Sequence, residues 1–172
     1  MITARLSSGL RGLRSSTLYR NFSDKVENEI IIEKIQALDV DGAPREGANI
    51  ALMRMNRPKA RNALGKLMIQ QMRDAIDEMP MDPTVRAVIL TSDVERVFCA
   101  GADLKERRDM TQLEAGMFVS KLRNTFTALG ALGIPVIGAI EGAALGGGLE
   151  IALACDIRVA GEKVRRVGGG EQ

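Results

Sequence analysis

From Ile137 to Glu150 the chain reads Ile-Gly-Ala-Ile-Glu-Gly-Ala-Ala-Leu-Gly-Gly-Gly-Leu-Glu, a run that folds most simply as a strand passing through glycine into a helix. Residues Val136–Ile140 have strand character, and Leu149–Ala154 form an apolar helical segment. The glycines between them let backbone approach a ligand or another segment closely. A helix start also leaves N–H groups without intrahelical partners, and these hold negative charge well. Glu150, just inside the helix, is placed to move a proton or orient a water. A first-turn glutamate is equally what the helix dipole favours, so spacing alone leaves the two readings level.

Two further runs extend this pattern: Phe98-Cys99-Ala100-Gly101-Ala102-Asp103-Leu104-Lys105, and upstream of it Met55-Asn56-Arg57-Pro58-Lys59-Ala60-Arg61-Asn62-Ala63-Leu64. In this order the three runs resemble the crotonase (enoyl-CoA hydratase/isomerase) family, in its mitochondrial hydratase branch, from about Ile50 to Ala160. The resemblance implies an α/β fold with a crotonase-like ββα spiral core. It also implies that the backbone N–H groups of Ala102 and Gly147 form an oxyanion hole for a thioester oxygen, with Glu150 as the first hydratase glutamate. The backbone around Ala100 and Gly101 would face coenzyme A. Lys59 and Arg61 are candidates for its phosphates, although solvation is the commoner fate of an isolated Lys or Arg. The implied reaction adds water to a 2-enoyl-CoA thioester. No metal or redox cofactor is needed, and coenzyme A enters as part of the substrate. Isomerase, hydrolase and dehalogenase chemistry use the same scaffold.

The resemblance stops near Ala160. The second hydratase glutamate should follow in a strand-entering Gly-x-x-Glu segment; Glu171 comes after three glycines at the chain end and reads as coincidence. The family's C-terminal helical region, which supports a homo-oligomer (trimer or hexamer), has no match here. The expectation is therefore a truncated chain: 1–23 leader, 24–160 partial crotonase-like domain, and 161–172 a polar, basic tail expected to be disordered. Cut in this way, the domain should leave apolar helix and strand faces uncovered. The alternative function is a catalytically inactive chain that binds acyl-CoA or associates with full-length subunits.

Composition narrows the chemistry further. The chain contains no His, which excludes Ser-His-Asp and Cys-His catalysis and His-based metal sites. Its two cysteines, Cys99 and Cys155, fit no metal spacing and read as small buried thiols without a disulfide. Aromatics make up 3% with no Trp, so the core must be aliphatic and rich in Met. The net charge is +2; the leader holds Arg5, Arg11, Arg14 and Arg20 and no acid, so removing those four charges leaves −2. A basic, Ser- and Leu-rich leader of this kind reads as a mitochondrial transit peptide and places the body in the matrix. No segment reaches the roughly 20 apolar residues of a membrane span. For nucleic acid, the segment Lys59–Met79 mixes Lys59, Arg61, Lys66 and Arg73 with Asp74, Asp77 and Glu78, and stacking aromatics are absent. It reads as an ordinary amphipathic surface helix.

Local patterns place the elements. Glu29–Leu38 and Ile50–Met55 read as strands around a turn at Asp41–Pro44 and Glu46–Gly47. Leu64, Leu67, Met68, Met72, Ala75, Ile76 and Met79 follow helical spacing up to Pro80 and Pro83, and of these Leu67, Met72, Ile76 and Met79 read as core rather than a binding stripe. Ala87–Leu90 is a buried strand, Thr111-Gln112-Leu113-Glu114 a capping box, and Cys155–Val159 a last strand. Asp103 reads as a loop stabiliser, and Lys105 and Glu106 as a solvated helix start. Glu141 reads as a loop-edge residue.

Overall fold

Strand β1 (Ile30–Leu38) and strand β2 (Pro44–Met55) form an antiparallel hairpin in a computed structural model that describes residues 28–162 and 164. Ala51, Met53 and Met55 face the core while Leu52 and Arg54 are half-buried, the two-residue alternation of a strand. β2 begins earlier than its apolar run suggests. Glu46-Gly47, read as turn, lies inside it, because pairing jumps from Gln36–Asn49 to Leu38–Pro44 and Gly47 takes up the bulge at φ +66. The turn itself is tied by Asp39, whose carboxylate accepts the N–H groups of Asp41 and Ala43 at 3.0 and 2.8 Å.

Helix α1 (Lys66–Glu78) buries Met68, Ile69, Met72, Ala75 and Ile76 as one stripe and ends in a 3-10 turn, Met79–Met81, at Pro80. Leu67, expected in the core, is half-buried at the margin of the stripe. Strand β3 (Val85–Ser92) pairs parallel with β2, and a short strand β4 (Val97–Cys99) follows. After helix α2 (Leu104–Arg108), helix α3 (Gln112–Gly130) opens on the capping box that Thr111 and Glu114 announce. The Glu114 N–H donates to Thr111 Oγ1 at 3.3 Å, and the Thr111 N–H donates to Glu114 Oε2 at 2.8 Å. Strand β5 (Val136–Ile140), strand β6 (Ala143–Ala144), helix α4 (Gly147–Ala154) and strand β7 (Ile157–Ala160) complete the described chain.

The main sheet has the order β1-β2-β3-β5-β7, parallel except for the first pair, and β4 with β6 forms a separate two-stranded parallel sheet. Alternation of strand and helix produces parallel pairing, because each crossover returns the chain to the same sheet end. Methionine fills much of the core: Met53, Met55, Met68, Met72 and Met79 are buried with Phe98, Leu129 and Ile151. Each such side chain contributes about 1.5–3 kcal/mol by leaving water.

One face of the molecule stays open. α4 packs Ile151 and Ala152 inward, but Leu149 and Leu153 are 44% and 62% exposed. Ile157 and Val159 of the edge strand β7 are 53% and 46% exposed. These are the uncovered apolar faces that the sequence predicts. Among the described residues no helix is long and apolar enough to cross a membrane. The leader 1–23 lies outside the described residues, as does the tail 161–172 apart from Gly161, Glu162 and Val164; Val164 packs against the core.

Candidate active site

Two loops meet beside Leu64 and Cys99. The first follows β4: the Gly101 carbonyl accepts the Leu64 N–H at 2.7 Å, and the Asp103 N–H donates to the Leu64 carbonyl at 3.1 Å. Ala102 is thereby bridged in parallel to Leu64, a fully buried residue. The Ala100 N–H donates to the Arg61 carbonyl at 3.1 Å. The second loop joins β6 to α4, where the Leu145 N–H donates to the Cys99 carbonyl at 2.9 Å.

Glycine makes the meeting possible at two positions. Gly101 has φ +88, and a Cβ there would lie 2.7 Å from the Leu145 carbonyl oxygen. A Cβ on Gly148 would lie 2.4 Å from the Cys99 carbonyl oxygen, inside any real contact distance. The result is that Gly147 stands beside Ala102: the direction a Gly147 side chain would take ends 3.9 Å from the Ala102 nitrogen. Among the described residues, neither the Ala102 nor the Gly147 N–H donates to a protein acceptor. Gly147 is the first residue of α4, where the N–H has no partner within the helix.

Glu150 sits in the first turn of α4, exposed, on the same outer face as Leu149 and Leu153. Ala100, Gly101, Ala102 and Gly147 are thus brought together, with Glu150 one helical turn beyond. Lys59 and Arg61 are not part of that group. Both are exposed; Arg61 is left-handed at φ 51, and Lys59 borders a separate cavity of about 430 Å³ with Asn28, Glu29, Asn56, Arg57 and Pro58. A larger groove, about 1130 Å³, runs along α3 and Arg73 of α1 and includes none of the loop residues. Glu141 is exposed at the end of β5, in keeping with a loop-edge role.

The sequence reading misses the charge cluster behind the first loop. The half-buried Arg57 guanidinium contacts Glu29 at 2.7 Å, Asp103 at 2.7 Å and Glu106 at 3.1 Å. It also donates to the Ala63 carbonyl at 2.8 Å. Burial alone would lower the Arg57 pKa, but the Asp103 hydrogen bond and the three carboxylate charges hold it above its ordinary value. Burial likewise pushes the Asp103 carboxyl up. The Glu106 N–H and the Arg57 guanidinium more than offset this and hold it below its ordinary value. Asp103 caps α2 by accepting the Lys105 and Glu106 N–H groups at 2.9 and 3.1 Å, so its reading as a loop stabiliser holds. Glu106 differs from the solvated residue expected. It accepts the Lys66 N–H at 2.8 Å and so caps α1 from outside, where Gly65 offers no side chain.

Asn62 is the second omission. Fully buried and left-handed at φ 52, it accepts the Arg57 N–H at 2.8 Å and donates to Ser92 Oγ at 2.7 Å and the Phe98 carbonyl at 3.1 Å. Asparagine tolerates that backbone region better than most residues, which is the one local signal for its role. Cys99 and Cys155 are free and buried, and burial pushes both thiols up to about 11. No group of three His, Cys, Asp or Glu suited to a metal occurs among the described residues.

An α/β spiral with two glycine loops converging on unpaired N–H groups defines a class, and comparison with known proteins identifies it. Residues 45–168 match the Enoyl-CoA hydratase/isomerase family. The chain belongs to that family. It is 52% identical over 117 residues to the bovine (Bos taurus) mitochondrial enoyl-CoA hydratase domain-containing protein 2, covering 68% of this chain and 39% of that protein. It is 41% identical over 152 residues to mouse (Mus musculus) mitochondrial methylglutaconyl-CoA hydratase, covering 88% of this chain and 46% of the relative. Among solved structures, an enoyl-CoA hydratase from Bacillus anthracis superposes with a TM-score of 0.66 at 34% identity, covering 77% of this chain and 47% of that one. The chain therefore spans about half, or somewhat less, of the length of the relatives it matches.

Proposed function

We propose that this chain carries the thioester-activating part of an enoyl-CoA hydratase-type lyase site, acting on 2-enoyl-CoA thioesters in the mitochondrial matrix. The observation that carries the reading is the convergence of Ala102 and Gly147, two unpaired backbone donors placed side by side by contacts that only glycine permits. Donors so fixed suit an oxygen on which charge develops, and losing one such donor costs about 2.7–4 kcal/mol of transition-state stabilisation. Water oxygen bonds to the β-carbon, the double-bond electrons move onto the thioester oxygen held by Ala102 and Gly147, and a proton then reaches the α-carbon. Glu150 takes the proton from water and returns one to carbon. Ala100 and Gly101 lie along the coenzyme A side, with Lys59 and Arg61 as outlying phosphate contacts. The names of the matched relatives and the basic leader support a mitochondrial address.

A second reading rests on the open face of α4 and β7. Glu150 shares that face with Leu149 and Leu153, so it lacks the enclosure that orients a catalytic carboxylate. In this reading the chain binds acyl-CoA, or joins a full-length subunit, without turnover. Hydration of crotonyl-CoA by the full chain beside Glu150→Gln, with folding checked by circular dichroism, separates the two. Hydration that falls about 10²-fold or more in the variant supports the lyase. A folded chain that binds the thioester without hydrating it supports the second reading. A folded chain that does neither sinks the lyase and acyl-CoA binding alike, and co-purification with a full-length subunit then decides the rest of the second reading.

A further inference from the structure

We propose that Arg57 is a positioning residue that aims the Ala102 N–H, acting through Asp103 and the Ala63–Leu64 backbone. The inference rests on the oxyanion reading above and names the device that sets one of its two donors. A trans peptide is planar, so its N–H points opposite its carbonyl. The Gly101 carbonyl is pinned on the Leu64 N–H at 2.7 Å, which turns the Ala102 N–H away from Leu64 and leaves it unpaired. The direction of that N–H is therefore decided by how firmly residues 101–103 are registered against Leu64.

Arg57 grips both sides of this register. Its Nη1 donates to the Ala63 carbonyl at 2.8 Å, immediately before Leu64, and contacts Asp103 Oδ2 at 2.7 Å, immediately after Ala102. Nε reaches Glu29 at 2.7 Å and Nη2 reaches Glu106 at 3.1 Å. Four acceptors from three segments (Glu29, Ala63, and Asp103 with Glu106) thus converge on one planar group, a geometry open to a guanidinium and not to an ammonium. Asp103 uses its other oxygen, Oδ1, to cap α2. The clamp and the cap are on different atoms and can be separated by mutation.

Asp103→Asn keeps the capping oxygen and removes the charge that Arg57 holds. Arg57→Lys keeps the charge and loses the fork. Both would be examined in the full chain with a conjugated arylacryloyl-CoA thioester, whose absorption moves to the red when donors polarise its carbonyl oxygen. The unaltered protein is expected to produce the shift. Both variants are expected to lose most of it while binding coenzyme A itself as before. Where turnover is measurable, kcat should fall about 10²-fold with KM little changed, the size of effect that follows a misplacement of about 1 Å. A purely structural Arg57 would lower the melting temperature and leave the bound spectrum alone. If Arg57→Lys does not fold, Asp103→Asn decides. A full shift in folded Asp103→Asn overturns the clamp and leaves the oxyanion reading standing, whereas no shift in the unaltered protein breaks that reading and the clamp with it.

Discussion

The loop at Ala102 and the helix start at Gly147 reach the same point, but different forces hold them there. The first is gripped from behind by a charge cluster of Arg57, Glu29, Asp103 and Glu106 and by the buried amide of Asn62. Among the described residues, the second has no charged support at that contact. It rests on Gly148 pressed against Cys99 and on Ile151 and Ala152 packed inward, with the opposite face of α4 in solvent. A polar cluster fixes direction, since each hydrogen bond has an angle to satisfy. Close packing fixes distance, and it does so only while no atom is added. The proposed site thus depends on two kinds of precision, and each can be attacked separately.

The largest effect should come from adding a methyl group at the packed contact. In Gly148→Ala the new Cβ would fall 2.4 Å from the Cys99 carbonyl oxygen and 2.7 Å from its Cβ, and backbone cannot yield there as a long side chain would. Stability should fall by about 3 kcal/mol, the upper range for overpacking, read as a lower urea midpoint. An unchanged midpoint would mean that the two loops are not in contact in solution.

Acid should work on the other loop. Asp103 binds its proton less readily folded than unfolded, so its stabilisation is complete above the ordinary aspartate value of about 3.9 and is lost as pH falls through the depressed folded value. Hydrogen exchange at the Leu64 and Asp103 amides should accelerate over that acid range before exchange at Ile151 does. Equal acceleration at all three would erase the contrast between polar and packed support.

The smallest effect on stability concerns the open face. Leu153→Lys changes a side chain that is 62% exposed, so the midpoint should move by less than about 0.5 kcal/mol. Light scattering at high concentration should nevertheless drop, because an apolar patch beside an edge strand is what self-association uses. Scattering unchanged from the parent would place the aggregation-prone surface elsewhere.

How much of this could be read from sequence depended on distance along the chain. Thr111 and Glu114 are three apart, and their capping box was legible because both partners sit in one turn. The α1 stripe and β5 were legible for the same reason, since periodicity is local. The pairing of β4 with β6 was not, because strands of three and two residues carry no periodic signal and exist only through each other. Within the proposed site, the glycine-rich runs marked the two loops, since a backbone that must pass close to another leaves a compositional trace, and the resemblance to the crotonase family singled out Ala102 and Gly147 in them. Arg57 left none. Glu106 stands 49 positions from it and Glu29 lies on the opposite side in sequence, so nothing near Arg57 distinguishes a clamp from a surface arginine.

The two cysteines give these opposed regions a clock each. Cys99 lies at the contact between the loops, with its thiol donating to the Asn62 carbonyl at 3.0 Å; Cys155 closes α4. With both thiols raised to about 11, almost no thiolate exists at neutral pH while the chain is closed, and labelling must wait for an opening event. Each labelling rate then counts openings of its own region, Cys99 for the gripped loop and Cys155 for the helix with one bare face. The chain thereby carries, without any substitution, a pair of timers for how independently the two halves of the proposed site breathe.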